Sequence, residues 1–173
     1  MPDRARWSLV PDRRLLPITT VLALLAQTPA RISALTEAVS PADLHATPSP
    51  GEWSANDVLA HLRACADVWG GCMLQMISEE RPTLRAVNPR SWIASTDYPG
   101  LAFAPSFRAF VAQRSELLAV LERLPEEGWS RTATVTGAGS VLERSVLDYG
   151  SRMARHERPH VKQIERTVEA VRR

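Results

Sequence analysis

Residues 155–164 read Arg-His-Glu-Arg-Pro-His-Val-Lys-Gln-Ile and lie close to the C-terminal end of the 173-residue sequence. They contain two of the chain's four histidines, His156 and His160. On an α-helix this spacing places both imidazoles on one face, one turn apart. Two such imidazoles can bind one metal ion, and a third nitrogen ligand would leave one coordination position open, as in catalytic metal sites. The remaining sequence must therefore be searched for that third ligand.

The first two helices are predicted from apolar residues that recur at helical spacing. The first begins near Ile18 and ends before Pro41. It should kink or divide at Pro29, because proline removes a backbone donor and clashes with the preceding turn. The second begins after Ser54, a typical N-cap, with Asp57 at the third helical position, where a carboxylate favours the positive helix end.

A long connection over residues 79–103 separates these helices from the last two. A connection of this length is usually a lid or a crossover in a small domain. The third helix fits residues 105–124, and a loop or short extended piece covers 129–139. Ser140 and Glu143 are typical of a capping box at the start of the last helix. This pattern predicts an all-α four-helix bundle with a long crossover between helices 2 and 3.

Composition and charge restrict the class of protein. A chain that is 45 % hydrophobic and 23 % charged is typical of one globular domain, here residues 17–173 after an N-terminal arm over 1–16. The net charge is only +2 and the arginines are interleaved with acids, so neither a nucleic-acid partner nor a membrane surface is predicted. No apolar run approaches the roughly 18 residues that span a bilayer, and the N-terminus lacks a signal-peptide pattern. The predicted location is the cytoplasm.

His61 lies on the apolar face of the predicted second helix, three residues after Val58. A single histidine there is usually a core residue hydrogen-bonded to a carbonyl or hydroxyl. Three inward-facing histidines on helices that can pack together favour a metal site, which could hold zinc, nickel, iron(II) or copper. Cys65, one turn later, is a candidate fourth ligand, although a buried free thiol is the favoured interpretation. His45 lies in a proline-rich connection and is not included.

The string His-Glu-x-x-His also matches the zinc metalloprotease motif. Three features argue against a protease. Pro159 should disturb the helix between the two histidines, since it removes a hydrogen bond and disfavours the helical conformation at the preceding residue. No histidine follows His160 as a later ligand. Glu157 would point about 100° away from His156 around the helix, so a role as general base is not favoured.

Two stretches carry a resemblance to a known family. Residues 51–62 read Gly-Glu-Trp-Ser-Ala-Asn-Asp-Val-Leu-Ala-His-Leu, and residues 156–164 contain His-x-x-x-His-x-x-Gln-Ile. They resemble, in this order, two motifs of the DinB-like superfamily of metal-binding four-helix bundles, which includes the bacillithiol and mycothiol transferases. The likeness spans about residues 17–167. It implies an up-down-down-up bundle, one metal ion held by His61, His156 and His160, and frequent homodimers.

The function expected from this resemblance is a metal-dependent thiol S-transferase, or a related thiol-dependent enzyme, that acts on a small electrophilic substrate. Zinc and nickel are the first candidates for the divalent ion, and a low-molecular-weight thiol would be the second cofactor. Trp92, Tyr98 and some arginines are candidates for the substrate pocket. Three alternatives remain: a metal-dependent hydrolase, a non-catalytic bundle that binds a metal, a ligand or a second copy, and a structural bundle with hydrogen-bonded core histidines.

Overall fold

The computed structural model describes residues 15–172, so the arm predicted over residues 1–16 lies outside the described residues except for its last two. Most of the described chain is helical. The helices are, in chain order, α1 (Ile18–Thr36), α2 (Pro41–His45), α3 (Ala55–Cys65), α4 (Gly71–Ser78), α5 (Pro89–Ile93), α6 (Phe103–Leu121), α7 (Glu126–Trp129) and α8 (Val146–Val171). The bundle is built from α1, from α3 with its continuation α4, from α6 and from α8.

The first and last bundle helices are parallel neighbours. The backbone N–H of Leu16, just before α1, donates to Ser151 Oγ near the start of α8. At the other end, Arg172 Nη2 donates to the carbonyl of Ala38, beyond the end of α1. Because both contacts join equivalent ends, α1 and α8 point the same way.

The other two bundle helices run opposite to this pair. Thr167 Oγ1, near the end of α8, donates to the carbonyl of Trp53, just before α3, so α3 and α8 are antiparallel. Arg63 of α3 donates to Ser106 of α6, and Asp67, one turn further along, accepts from Gln113 of α6. Because the contact positions advance in the same direction along both helices, α3 and α6 are parallel. The bundle therefore has the predicted up-down-down-up order, and residues 79–102 form the predicted crossover between α4 and α6.

The first helix continues through Pro29 instead of dividing there. Proline lacks the N–H that would bond to the carbonyl of Leu25, four residues earlier. Arg114 of α6 supplies a replacement, since its Nη1 donates to the Leu25 carbonyl oxygen at 2.9 Å. The helix ends at Thr36, before Pro41 as predicted, and Pro41 begins α2 behind the N-cap Ser40.

By length and mean hydropathy alone, α1 is the one described helix that could cross a membrane. Gln27 and Arg31 interrupt its apolar sequence. Its Val21, Leu25 and Ile32 are fully buried against the other bundle helices. In this structure the apolar face of α1 is therefore a core surface.

A small three-stranded sheet lies beside the bundle and was not predicted as a sheet. Its strands are β1 (Thr83–Arg85), β2 (Thr132–Thr136) and β3 (Leu142–Ser145), in the order β1-β2-β3. β1 pairs with β2 in parallel and β2 pairs with β3 in antiparallel. The turn between β2 and β3 contains Gly137 and Gly139, both with positive φ, a conformation that glycine adopts without steric cost.

The last helix begins later than predicted. Glu143 belongs to β3, so the capping box predicted from Ser140 and Glu143 is wrong. Ser145 caps α8 instead, and Asp148 accepts from the Ser145 backbone N–H in return. From there α8 is continuous through Pro159, which lies on its exposed side. The predicted disturbance at this proline does not end the helix.

A π-helical turn over Ala66–Gly70 joins α3 to α4. It presents Asp67, whose carboxylate accepts hydrogen bonds from Trp92 Nε1, Tyr98 Oη and Gln113 Nε2 at 2.6–3.1 Å. Two of these donors belong to the crossover and the third to α6. The π turn thus holds the crossover against the bundle, next to the helix that carries His61.

Candidate metal centre

The three histidines predicted as a group are adjacent in the structure. His61 comes from α3, and His156 and His160 come from α8, its antiparallel neighbour. His61 Nε2 lies 2.9 Å from His156 Nε2, and His160 Nε2 lies 3.1 Å from the same atom. Two ligand nitrogens about 2.0–2.1 Å from a tetrahedral zinc ion would be about 3.3 Å apart. The two Nε2–Nε2 distances to His156 are therefore within a few tenths of an ångström of the separation expected for two ligands of one ion.

Burial keeps these imidazoles neutral. It lowers the pKa of His61 from 6.5 to about 4, with smaller contributions from His160 and Arg90. Burial and the two neighbouring histidines lower the pKa of His156 to about 3. The pKa of His160 is also lowered by burial, partly offset by its bond to Gln163. At neutral pH all three rings are in the deprotonated form that binds metals.

Gln163 fixes the orientation of His160. Its Oε1 lies 2.9 Å from His160 Nδ1, so this hydrogen bond places the ring proton on Nδ1 and leaves the Nε2 lone pair facing the other histidines. Trp53 stacks on the His160 ring at 6.3 Å between centroids, and Trp69 packs edge-on against His156 at 4.9 Å. Spacing alone did not assign roles to these three residues. The three-residue step from His160 to Gln163 was a usable signal.

Cys65 lies at the same cluster. Its side chain is fully buried, and Sγ is 3.6 Å from His61 Nε2. The ligand atoms of His61, Cys65 and His156 all lie within 4.8 Å of one another. The other ring nitrogen of His61, Nδ1, is buried without a hydrogen-bond partner. The polar contacts of His61 are therefore concentrated on Nε2, at the centre of the cluster.

Glu157 points away from the histidines into a buried ion pair. Arg114 of α6 donates to both carboxylate oxygens of Glu157, and Thr28 Oγ1 lies 2.7 Å from Oε2. Both charged side chains are about 1 % exposed. Glu157 is thus engaged on the side of α8 that faces α1 and α6, which agrees with its unfavourable direction for a general base. Arg114 was not singled out from the sequence.

An open cavity of about 460 Å³ adjoins His160. It lies between the connection before α3 and the last turns of α8, with Arg90 of α5 at its side. Its wall is formed by Pro48, Gly51, Glu52, Trp53, Arg90, His160, Gln163, Arg166, Thr167 and Ala170. Trp92 and Tyr98, predicted as pocket residues, do not line this cavity and instead donate hydrogen bonds to Asp67. His45 is exposed on α2.

Comparisons with known proteins agree with the fold and the motifs. The sequence model of the DinB superfamily matches residues 24–164, a range that includes all three histidines. A search of curated proteins found no significant match. Among solved structures, YfiT from Bacillus subtilis superposes with a TM-score of 0.69 at 16 % identity, over 86 % of each chain. That protein is described as a probable metal-dependent hydrolase with an unusual four-helix bundle topology.

Proposed function

Because the chain belongs to the DinB superfamily, we propose that it is a metal-dependent enzyme in which His61, His156 and His160 hold one divalent ion. The observation that carries this proposal is that His61 Nε2, from α3, and His160 Nε2, from α8, lie 2.9 and 3.1 Å from His156 Nε2. Zinc and nickel both suit imidazole ligands. When bound, such an ion would act as a Lewis acid and lower the pKa of a coordinated thiol or water.

The protein's own residues orient the ligands and shape the approach to them. Gln163 fixes the tautomer of His160, while Trp53 and Trp69 restrict rotation of the rings that they contact. The cavity beside His160 would give a small molecule access to the cluster, and its wall carries two arginines, Arg90 and Arg166, against one acid, Glu52. We expect this wall to favour substrates with an electron-rich or anionic group.

The proposed reaction is transfer of a low-molecular-weight thiol to a small electrophile. A free thiol has a pKa of about 8.5, far below that of water, so its ionisation at neutral pH beside an ion held by the three histidines would need no protein base. This matters because Glu157, the acid next to the ligands in sequence, is committed to Arg114. Metal-dependent hydrolysis is the second candidate, since YfiT is described as a probable hydrolase and has the same fold.

Metal analysis tests the site directly. We expect wild-type protein to purify with, or take up, about one zinc or nickel ion per chain. The variants His61→Ala, His156→Ala and His160→Ala should each bind the ion at least tenfold more weakly, because they remove a ligand. His45→Ala is the matched control, since this histidine is exposed on α2. Equal metal content in all five proteins would refute the site.

Activity assays separate the reaction classes. Metal-loaded protein would be incubated with an electrophilic aromatic probe and low-molecular-weight thiols, and separately with activated esters. Thiol consumption that stops on chelation supports the transferase, whereas ester cleavage without a thiol supports the hydrolase. Tight metal binding with neither activity supports a non-catalytic binding module. The homodimer implied by the family and the cytoplasmic location stay predictions, and sedimentation tests the former.

A further inference from the structure

We propose that Cys65 is a fourth protein ligand of the same ion and occupies the coordination position that the three histidines leave open. This inference rests on the proposed metal site and extends it. A site of this kind holds its ion with three imidazoles and one thiolate, so a substrate thiol must compete with a thiol of the protein itself.

The distances support ligation by Cys65. With metal–ligand bonds of about 2.3 Å for sulfur and 2.0–2.1 Å for nitrogen, tetrahedral geometry separates the two ligand atoms by about 3.6 Å. Cys65 Sγ lies 3.6 Å from His61 Nε2. The four-residue step along α3 puts both side chains on one face of the helix, so no backbone change is needed to bring them to one ion.

The alternative is a buried core thiol without contact to an ion. Cys65 does pack in the apolar cluster that α1, α4, α6 and α8 share. However, Sγ approaches Nε2 of His61, the atom that faces the other two histidines, and not the unpartnered Nδ1. Cys72 gives an internal comparison, because it is also a free cysteine but is hydrogen-bonded to Tyr149. The position of Cys65 is therefore specific to the histidine cluster.

Ligation by Cys65 is a simple acid–base exchange. The Sγ–H bond breaks heterolytically, the proton leaves to solvent, and the sulfur lone pair forms the bond to the ion, with no change in oxidation state. Four protein ligands make a closed site, whereas a catalytic site keeps one position open. A substrate thiol that enters from the cavity must then displace Cys65, which takes back one proton.

Cobalt(II) substitution tests this ligand by a spectroscopic signature. We expect cobalt-loaded wild-type protein to show a sulfur-to-cobalt charge-transfer band in the near ultraviolet. Cys65→Ser should bind cobalt but lose the band, and Cys72→Ser should keep both. Circular dichroism melting confirms that the variants are folded, and Cys65→Ala serves if the serine variant is not. Bound cobalt without the band in wild type would overturn this inference while leaving the three-histidine site intact. Failure to bind cobalt would overturn both.

Competition by an added thiol gives a second readout. We expect 2-mercaptoethanol to restore the charge-transfer band of cobalt-loaded Cys65→Ser at low concentration, because the position is open. The wild-type spectrum should change only at concentrations at least tenfold higher. If both proteins responded at the same 2-mercaptoethanol concentration, Cys65 would not occupy the fourth coordination position.

Discussion

Arg114 connects three parts of the core at the scale of single residues. Its guanidinium donates to Glu157 of α8 and to the carbonyl of Leu25 that Pro29 leaves without a helical partner. It also lies over the Phe110 ring, 5.0 Å from its centroid. A buried pair contributes little net stability, but either charge alone is costly. Arg114 therefore donates to the carbonyl that Pro29 leaves without a partner, and it neutralises the buried charge of Glu157.

The first prediction concerns this pair. Glu157→Gln leaves the Arg114 charge buried without its counter-ion, and we expect a loss of about 3–5 kcal/mol in the free energy of unfolding. Urea denaturation at pH 7.5 measures it. Glu165→Gln, an exposed acid on the same helix, should change stability by less than about 0.5 kcal/mol. A small effect of Glu157→Gln would mean that the pair is not closed in solution.

The second prediction is a pH dependence of the metal-free protein. Burial holds the pKa of His61 at about 4 in the folded chain, against 6.5 ordinarily. The unfolded chain therefore binds more protons between these values, so stability must fall as the pH is lowered from about 6.5 to 4. For His61 the loss is on the order of 3 kcal/mol.

Urea denaturation at several pH values, in the presence of a chelator, measures this dependence. His61→Gln is the reference, because it keeps the other titrating groups and removes one buried imidazole. The difference in stability between the two proteins should shift in favour of the variant as the pH falls. A difference that stays constant between pH 7 and 4 would contradict the expected burial of His61.

Among the elements, the long helices were predictable and the strands were not. The bundle helices bury one face each, so apolar residues recur in the sequence at their own period. β1 is three residues long, and its parallel partner β2 lies about 50 positions further along the chain. Pairing at that distance leaves no local pattern. The start of α8 was predicted too early for the same reason. Ser140 and Glu143 have the spacing of a capping box, but they lie in β3 and the turn before it.

Pro29 shows again that local sequence does not reveal contacts with distant residues. Pro29 was expected to kink or divide α1, and the local sequence supports that expectation. The replacement donor, Arg114, is 85 positions away on another helix and could not be identified from the sequence near Pro29. That the three histidines lie together was predictable, because two share one face of a helix and the third lies on the apolar face of another helix, three residues after Val58. The Glu157 ion pair and the cavity depend on how helices meet.

The third prediction tests the corrected start of α8. Ser145→Ala removes the side chain that accepts from the Asp148 backbone N–H, and we expect a loss of about 1 kcal/mol in the free energy of unfolding. Ser140→Ala is the matched control and should be close to neutral, because Ser140 is exposed in the turn before β3. A larger loss of stability for Ser140→Ala than for Ser145→Ala would support the start near Ser140 that the sequence predicted.

For the whole molecule, the fourth prediction is that an ion bound at the proposed site would join two antiparallel helices and so stabilise the fold. An ion that binds only the folded state adds about 2.7 kcal/mol at a free concentration 100 times its Kd. In a domain of this size that raises Tm by roughly 5–10 °C. Differential scanning calorimetry with zinc and then with excess chelator measures the shift. His160→Ala should show a much smaller one, and an equal Tm with and without zinc in wild type would favour hydrogen-bonded core histidines.

The parallel packing of α1 against α8 has a consequence for synthesis. Contacts between the two helices join residues 129 and 135 positions apart, and α6, the other neighbour of α1, is also made late. During translation α1 leaves the ribosome with an apolar face that has no partner until most of the chain has followed. Contacts this distant in sequence slow folding and prolong exposure of apolar surface. We therefore expect the nascent chain to depend on chaperones, and ribosome-bound fragments that end before α8 to remain sensitive to protease.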